Sequence, residues 1–261
     1  MDASSGRPAE TGGATTKISV PPNAFYVPSP VVLLTTVSEQ GEVDVSAMSA
    51  VGVVCLDPAI IAVGIKPRRH TYKNIRRTGR FVVNLPLEKD MWAADFTGTR
   101  SWRRSGDKVA ESGLEIRELP GTGLPYVESC PIVMACDAVG HLGRKELNLE
   151  AAPSHQTVLG RIAECLVDAE WLGQDEVRLE DMPVLLYLNR VYARRGPVLG
   201  EQRFTDDPRR RRDRMRAYRS LGGAHDTHGT HEAHDAHEAH EAHGTHGAHD
   251  THTIRKEERT P

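Results

Sequence analysis

The sequence predicts a mainly β domain, an antiparallel sheet closed or nearly closed into a barrel and carried between two tails. Three observations predict it. Short apolar, β-branched runs recur through the middle of the chain, turn-forming clusters separate them, and the helical stretches between them are few and short. Nearly all large apolar side chains fall within residues 23–203, which mark the domain. Residues 1–22 are rich in Gly, Ser, Thr and Pro and are expected to be a disordered arm. Residues 204–221 form an Arg-rich linker and residues 222–261 a His-rich low-complexity tail.

The elements follow in order. VVLLTTV (Val31 to Val37) ends at the turn cluster SEQG, and EVDVSAMSAVGVVCL then runs on to Asp57-Pro58, which is the pattern of a hairpin. AIIAVGI, RFVVNLP, PIVMACDAV, TVLGRIAECLV and VLLYLNRVYA add five more strands. Helices are expected at TYKNIRRT, with Thr71 as N-cap and Gly79 at the left-handed C-terminal position, and over EKDMWAADFTG and GDKVAESG.

A chain of 261 residues with 38% hydrophobic and 26% charged residues is long enough for one such domain plus tails. Its formal net charge of −3 gives no global basic field, which argues against a nucleic-acid partner. No segment approaches the roughly 20 apolar residues of a membrane span, and the opening residues lack an apolar secretory core, so a cytoplasmic protein is expected. The four cysteines (Cys55, Cys130, Cys136, Cys165) lack the short paired spacing of a zinc site and read as buried thiols.

Against that balanced background, Lys66 to Arg80 is a local basic cluster leading from a strand into a helix. Unpaired backbone N–H groups at a helix start, a hydroxyl and guanidinium groups would suit a terminal phosphate. A solvated basic helix face accounts for the same spacing. The tail carries a histidine at every third position from His225 to His252. A three-residue step spirals around an α-helix but aligns in polyproline II, so His225, His228, His231, His234, His237 and His240 are candidate ligands for loosely held nickel, zinc or copper. A low-complexity expansion without a dedicated role explains the repeat equally.

Four stretches in order, PSPVVLLTTV, VSAMSAVGVVCLDPAIIAVGIKPRRHTYKNIRRTGRFVVNLP, SHQTVLGRIAECLVDAEW and PVLLYLNRVYARRG, resemble the flavin reductase-like, flavoredoxin type of FMN-binding split barrel. The resemblance runs over most of residues 27–197. It implies a six-stranded Greek-key barrel, a homodimer with FMN at or near the subunit interface, and a nicotinamide nucleotide, NAD(P)H, as hydride donor. By its motifs, the segment beside the flavin ring falls on Ser46, Ala47, Met48 and Ser49. The phosphate site falls on Arg69 and Thr71 with Lys66 as helper. Thr35 and Thr36 match a hydroxyl pair near the flavin, Asn84 matches the Asn closing the helix-to-strand unit, and His155 matches the His of a His-x4-Gly element ending at Gly160, on the nicotinamide or substrate side. The sequence departs from the family at Asp44, where Asn is more frequent, at Ala50, where a large aromatic is common, and at Asn189-Arg190, where glycines are frequent.

With a flavin, the protein need supply only a surface, backbone donors and a phosphate anchor, which suits a chain without paired carboxylates or a triad. Three functions remain open at this point. The first is an NAD(P)H-dependent flavin reductase, with a monooxygenase or another acceptor of reduced flavin downstream. The second is a flavoredoxin-like electron carrier without nicotinamide turnover, and the third a non-redox flavin- or metal-binding protein.

Overall fold

The computed structural model describes residues 17–23, 27–100, 102, 107–173 and 177–199. Most of the expected N-terminal arm, the Arg-rich linker and the His-rich tail, with all its candidate metal ligands, lie outside the described residues. The strands are β1 (Ser29–Pro30), β2 (Val32–Val37), β3 (Val43–Met48), β4 (Val51–Leu56), β5 (Ala59–Ile65), β6 (Arg80–Leu85), β7 (Ile116–Leu119), β8 (Leu124–Val127), β9 (Ile132–Leu142), β10 (Gln156–Val167), β11 (Leu185–Leu188) and β12 (Val191–Arg194). The α-helices are α1 (His70–Thr78), α2 (Met91–Thr99) and α3 (Lys108–Ser112). Among the described residues, no helix is long and apolar enough to cross a membrane.

Seven strands form one sheet in the order β3-β2-β6-β9-β10-β5-β4, every neighbouring pair antiparallel. Its two edges, β3 and β4, are consecutive in the chain and separated only by Ser49-Ala50. The stretch EVDVSAMSAVGVVCL, expected as one strand, is therefore two, because the chain crosses there from one edge of the sheet to the other. The Gly64 amide donates to the carbonyl of Ala50 at 2.7 Å, which carries the β4–β5 ladder one pair beyond Val51–Val63 to this crossing. Gly64 is required by that approach, since a Cβ would lie 3.0 Å from the Cβ of Ala50. The expected split barrel is what the sheet makes, and the chain itself, running from β3 directly into β4, links its two edges.

Apolar layers pack on both sides of the sheet. Leu34, Ile61, Val63, Ile65, Phe81, Val83 and Val158 form one cluster with Ile75 of α1, and Leu33, Val45, Val82 and Val133 form another with Ala94 of α2, Leu124 of β8 and Leu185 of β11. This is why β2 and β6 read as unbroken apolar runs rather than alternating ones. Gly160 lies over the Phe81 ring, and a Cβ there would collide with Cζ.

Helix α1 ends as expected, with Gly79 at φ 69. Its start differs. Arg69 is the N-cap residue and makes no side-chain cap bond, while Thr71 lies inside the helix with its hydroxyl donating to Asp44 Oδ2. A buried carboxylate outcompetes the local backbone for that hydroxyl. Two further differences are hairpins. β7 and β8 pair around a turn with Gly121 at φ 71 and Gly123 at φ 69, and VLLYLNRVYA folds back at Asn189-Arg190 into β11 and β12.

Candidate functional site

The crossing of the chain from β3 to β4 leaves a cleft of about 550 Å3 at the barrel seam, within the range of roughly 300–1,000 Å3 usual for ligand sites. Its floor is Ala47, Ala50, Gly64 and Gly98, all too small to fill it. The β5–α1 connection contributes Lys66 and Arg69 on one side, and the start of β10 contributes His155 and Thr157. Tyr187, Arg190 and Tyr192 of the β11–β12 hairpin and Asp95 of α2 make a further wall.

The residues expected at the site divide in two. Ala47, Met48, Ser49, Lys66, Arg69 and His155 line this cleft although they come from distant stretches of the chain. Thr35, Thr36, Ser46, Thr71 and Asn84 do not line it and are buried. Their polar groups are spent inside the fold. Asn84 donates to the Leu33 carbonyl at 2.9 Å and to Thr35 Oγ1 at 3.1 Å, and its own oxygen accepts from the Val127 amide at 2.8 Å. Thr35 donates to the Pro125 carbonyl, Thr36 accepts from Asn74 at 3.0 Å, and the Ser46 hydroxyl reaches the Thr97 carbonyl at 3.5 Å. This network ties β2, β6, α1 and the β7–β8 hairpin together, as buried amides and hydroxyls require.

The basic cluster also divides. Thr71, Asn74 and Ile75 form the buried stripe of α1, so Lys73, Arg76 and Arg77 face solvent, and the reading as a solvated helix face holds for those three. Lys66 and Arg69 turn into the cleft instead. The Arg69 guanidinium donates to the carbonyls of Gly98 and of Arg100, the latter at 3.1 Å, and so grips the last turn of α2. Two of its five N–H groups are used, which leaves donors for an anion. Burial lowers the Arg69 pKa, with Asp44 opposing the shift, and the guanidinium remains charged.

His155 is half-buried, with Nδ1 3.0 Å from Ser154 Oγ. Burial, and then the positive charges of Lys66 and Arg69, push its pKa below the ordinary 6.5, so the ring is neutral at pH 7. Across the cleft the Tyr192 hydroxyl donates to Asp95 Oδ1 at 3.2 Å. Burial and that carboxylate raise the Tyr192 pKa to about 12 and keep its proton in place. Asp95, Tyr187 and Tyr192 are cleft residues that sequence reasoning did not find, and Arg190, read there only as a departure from the family's glycines, joins them. The two tyrosines share a wall only because the chain turns between them.

The site therefore offers a shallow floor without bulky side chains, a cationic side with a spare guanidinium face, a helix start, and a neutral imidazole. That set suits a flat ligand carrying a phosphate. The profile of the flavin reductase like domain matches residues 24–196. The chain belongs to the flavin reductase-like family. Among solved structures, this flavin reductase-like chain is similar to a flavoredoxin from Methanosarcina acetivorans, at 25% identity over 72% of this chain and 96% of that one, with a TM-score of 0.62. The flavoredoxin of Desulfovibrio vulgaris (Miyazaki F) shares the fold at 22% identity, over 74% and 100% of the two chains, with a TM-score of 0.64. Nitrilotriacetate monooxygenase component B from Bacillus cereus does so at 20% identity, over 72% and 100%, with a TM-score of 0.62. An uncharacterized protein of Aeropyrum pernix is 31% identical over 141 residues, 54% of this chain and 50% of its own, so the chain spans about half the length of that relative.

Proposed function

We propose that the cleft holds FMN and that the protein is an NAD(P)H-dependent flavin reductase. One observation carries the reading: Ala47, Met48, Ser49, Lys66, Arg69 and His155, scattered over more than a hundred positions, line one cleft with a cationic side and a small-residue floor. Lys66, Arg69 and the start of α1 would hold the phosphate, and Ala47, Met48 and Ser49 would run beside the ring. When bound, FMN supplies an acceptor for the hydride of a nicotinamide. The protein's own share is to bind, orient and exclude water. His155, neutral at pH 7, offers a polar contact on the nicotinamide side without a charge that would compete for the phosphate.

The proposed assembly is a cytoplasmic homodimer. Val53, Val54 and Leu56 of β4 are 53%, 61% and 86% exposed, an apolar face next to the seam that a second copy of this chain would cover. The proposed acceptor of reduced flavin is a monooxygenase component, in line with the fold shared with nitrilotriacetate monooxygenase component B.

A second reading, a flavoredoxin-like carrier that holds FMN without turning over nicotinamide, is favoured by the likeness to the Methanosarcina acetivorans flavoredoxin over nearly all of that protein. The visible spectrum of the purified protein, recorded anaerobically before and after adding NADH or NADPH, tests both. A flavin spectrum that bleaches supports the reductase, one that persists supports the carrier, and a colourless protein that gains no flavin spectrum with added FMN overturns both. The mass in solution of the same sample tests the dimer.

A further inference from the structure

Three arginines sit on or just beyond the β11–β12 hairpin, and the fold uses them differently. Arg194 pairs with Glu88 at 2.9 Å, and Arg195 donates to the Met182 carbonyl at 3.1 Å. Arg190, at the tip, has no hydrogen-bond or ion-pair partner among the described residues, yet it lines the cleft. Its backbone is costly to keep. Leu188 pairs with Val191, so Asn189 and Arg190 form a two-residue turn with φ of 44 and 83. Both positions of such a turn want positive φ, which Asn tolerates and which glycine, not arginine, ordinarily supplies at the second.

The arm that carries Arg190 is fixed. Tyr187 and Tyr192 meet edge to face at 5.8 Å, Tyr192 is bonded to Asp95, and the Val31 amide donates to the Leu185 carbonyl at 3.0 Å. The cleft thus has cations on two separate elements. Lys66 and Arg69 come from the β5–α1 connection, and Arg190 comes from the hairpin. Strained backbone that holds an unspent charge at a cleft is the pattern of a ligand contact.

We propose that Arg190 binds a phosphate group of the second nucleotide, the nicotinamide dinucleotide, while Lys66 and Arg69 keep that of the flavin. The inference rests on the reading of the cleft given above. It makes Arg190 a specificity-determining residue, since a guanidinium there favours a phosphate-bearing donor over a neutral one.

The test uses full-length, FMN-loaded protein with Arg190→Gly and Arg190→Lys. Arg190→Gly should raise the KM for the nicotinamide nucleotide about tenfold, the scale of one lost bond to a charged group, with FMN affinity unchanged and the melting temperature equal or higher. Arg190→Lys should recover part of the KM. Equal loss for NADH and NADPH assigns the contact to the pyrophosphate, and loss for NADPH alone assigns it to the 2′-phosphate. Unchanged KM for both, or loss of FMN together with the nucleotide, overturns the proposal. A protein that holds FMN but neither binds nor oxidises either nucleotide overturns this inference and leaves the flavin site standing. A colourless protein that binds NADPH through Arg190 overturns the flavin site alone.

Discussion

Lys108 and Asp44 form an ion pair at 2.8 Å, with the lysine side chain 2% and the aspartate 1% exposed. Asp44, where the resemblance to the family leads to an expectation of Asn, has a partner in this chain, because α3 sends a lysine inward to meet it. Thr71 donates to the other carboxylate oxygen, so β3, α1 and α3 are joined at one point beneath the start of α1.

Lys108→Met leaves the Asp44 carboxylate buried without its counter-charge and should destabilise the fold by about 3–5 kcal/mol. The double variant Asp44→Asn/Lys108→Met, which removes both charges, should recover most of that loss. Denaturant midpoints of wild type and the single and double variants decide it. A double variant no more stable than Lys108→Met would show that the pair is not the source of the cost.

The field at His155 sets a pH dependence. Its folded pKa lies below the ordinary 6.5 through burial, then Lys66 and Arg69, so between those two values the unfolded chain binds more protons than the folded one. Stability should therefore fall as pH drops through 6.5. An NMR titration of the ring should give a value below 6.5, raised by Lys66→Met and raised by FMN, whose phosphate would offset the cations. A ring that titrates above 6.5 without ligand contradicts the geometry.

His155→Ala should slow hydride transfer by about tenfold or less, roughly 1.4 kcal/mol, because no proton has to move for the transfer. Loss of a general acid would cost on the order of a hundredfold or more. Stopped-flow reduction at saturating nicotinamide separates the two, and a thousandfold loss would give the imidazole a chemical role.

Arg69→Ala should weaken FMN by roughly 1.5–3 kcal/mol, the scale of a bond to a charged group, and leave riboflavin nearly unaffected. The control matters because Arg69 also grips the C-terminal end of α2 through the carbonyls of Gly98 and Arg100. If its role were only to hold α2, both ligands would lose affinity equally in a fluorescence titration.

Deleting residues 222–261 should abolish retention on immobilised nickel, in keeping with the proposal that the tail histidines bind metal, and leave flavin reduction unchanged. Impaired reduction in the truncated protein would assign the tail to the active site.

Much of the barrel was legible because β-branched runs such as VVLLTTV and RFVVNLP are buried on both faces, and Gly79 marked the end of α1 by backbone chemistry alone. The break at Ser49-Ala50 was not legible. No turn residue marks it, and the crossing is imposed by where the sheet meets itself. The β7–β8 hairpin does carry a local signal, PGTG between short apolar runs. Thr71 follows the local rule for a cap, but a carboxylate far away in sequence claims its hydroxyl. At the site, the buried stripe of Thr71, Asn74 and Ile75 could have separated Lys73, Arg76 and Arg77 from the cleft by helical phase. Asp95 and Tyr192 meet across 97 positions, a contact that no local pattern announces.

The seam of the barrel has a consequence for how the protein holds and loses a ligand. Ala50 and Gly64, which pair at the corner where the chain passes from one edge of the sheet to the other, also form part of the cleft floor. Whatever settles there rests on that corner, and acts as a rivet. Occupancy and folding are then linked by mass action, so the filled protein should melt higher and shield the Gly64 amide from solvent exchange.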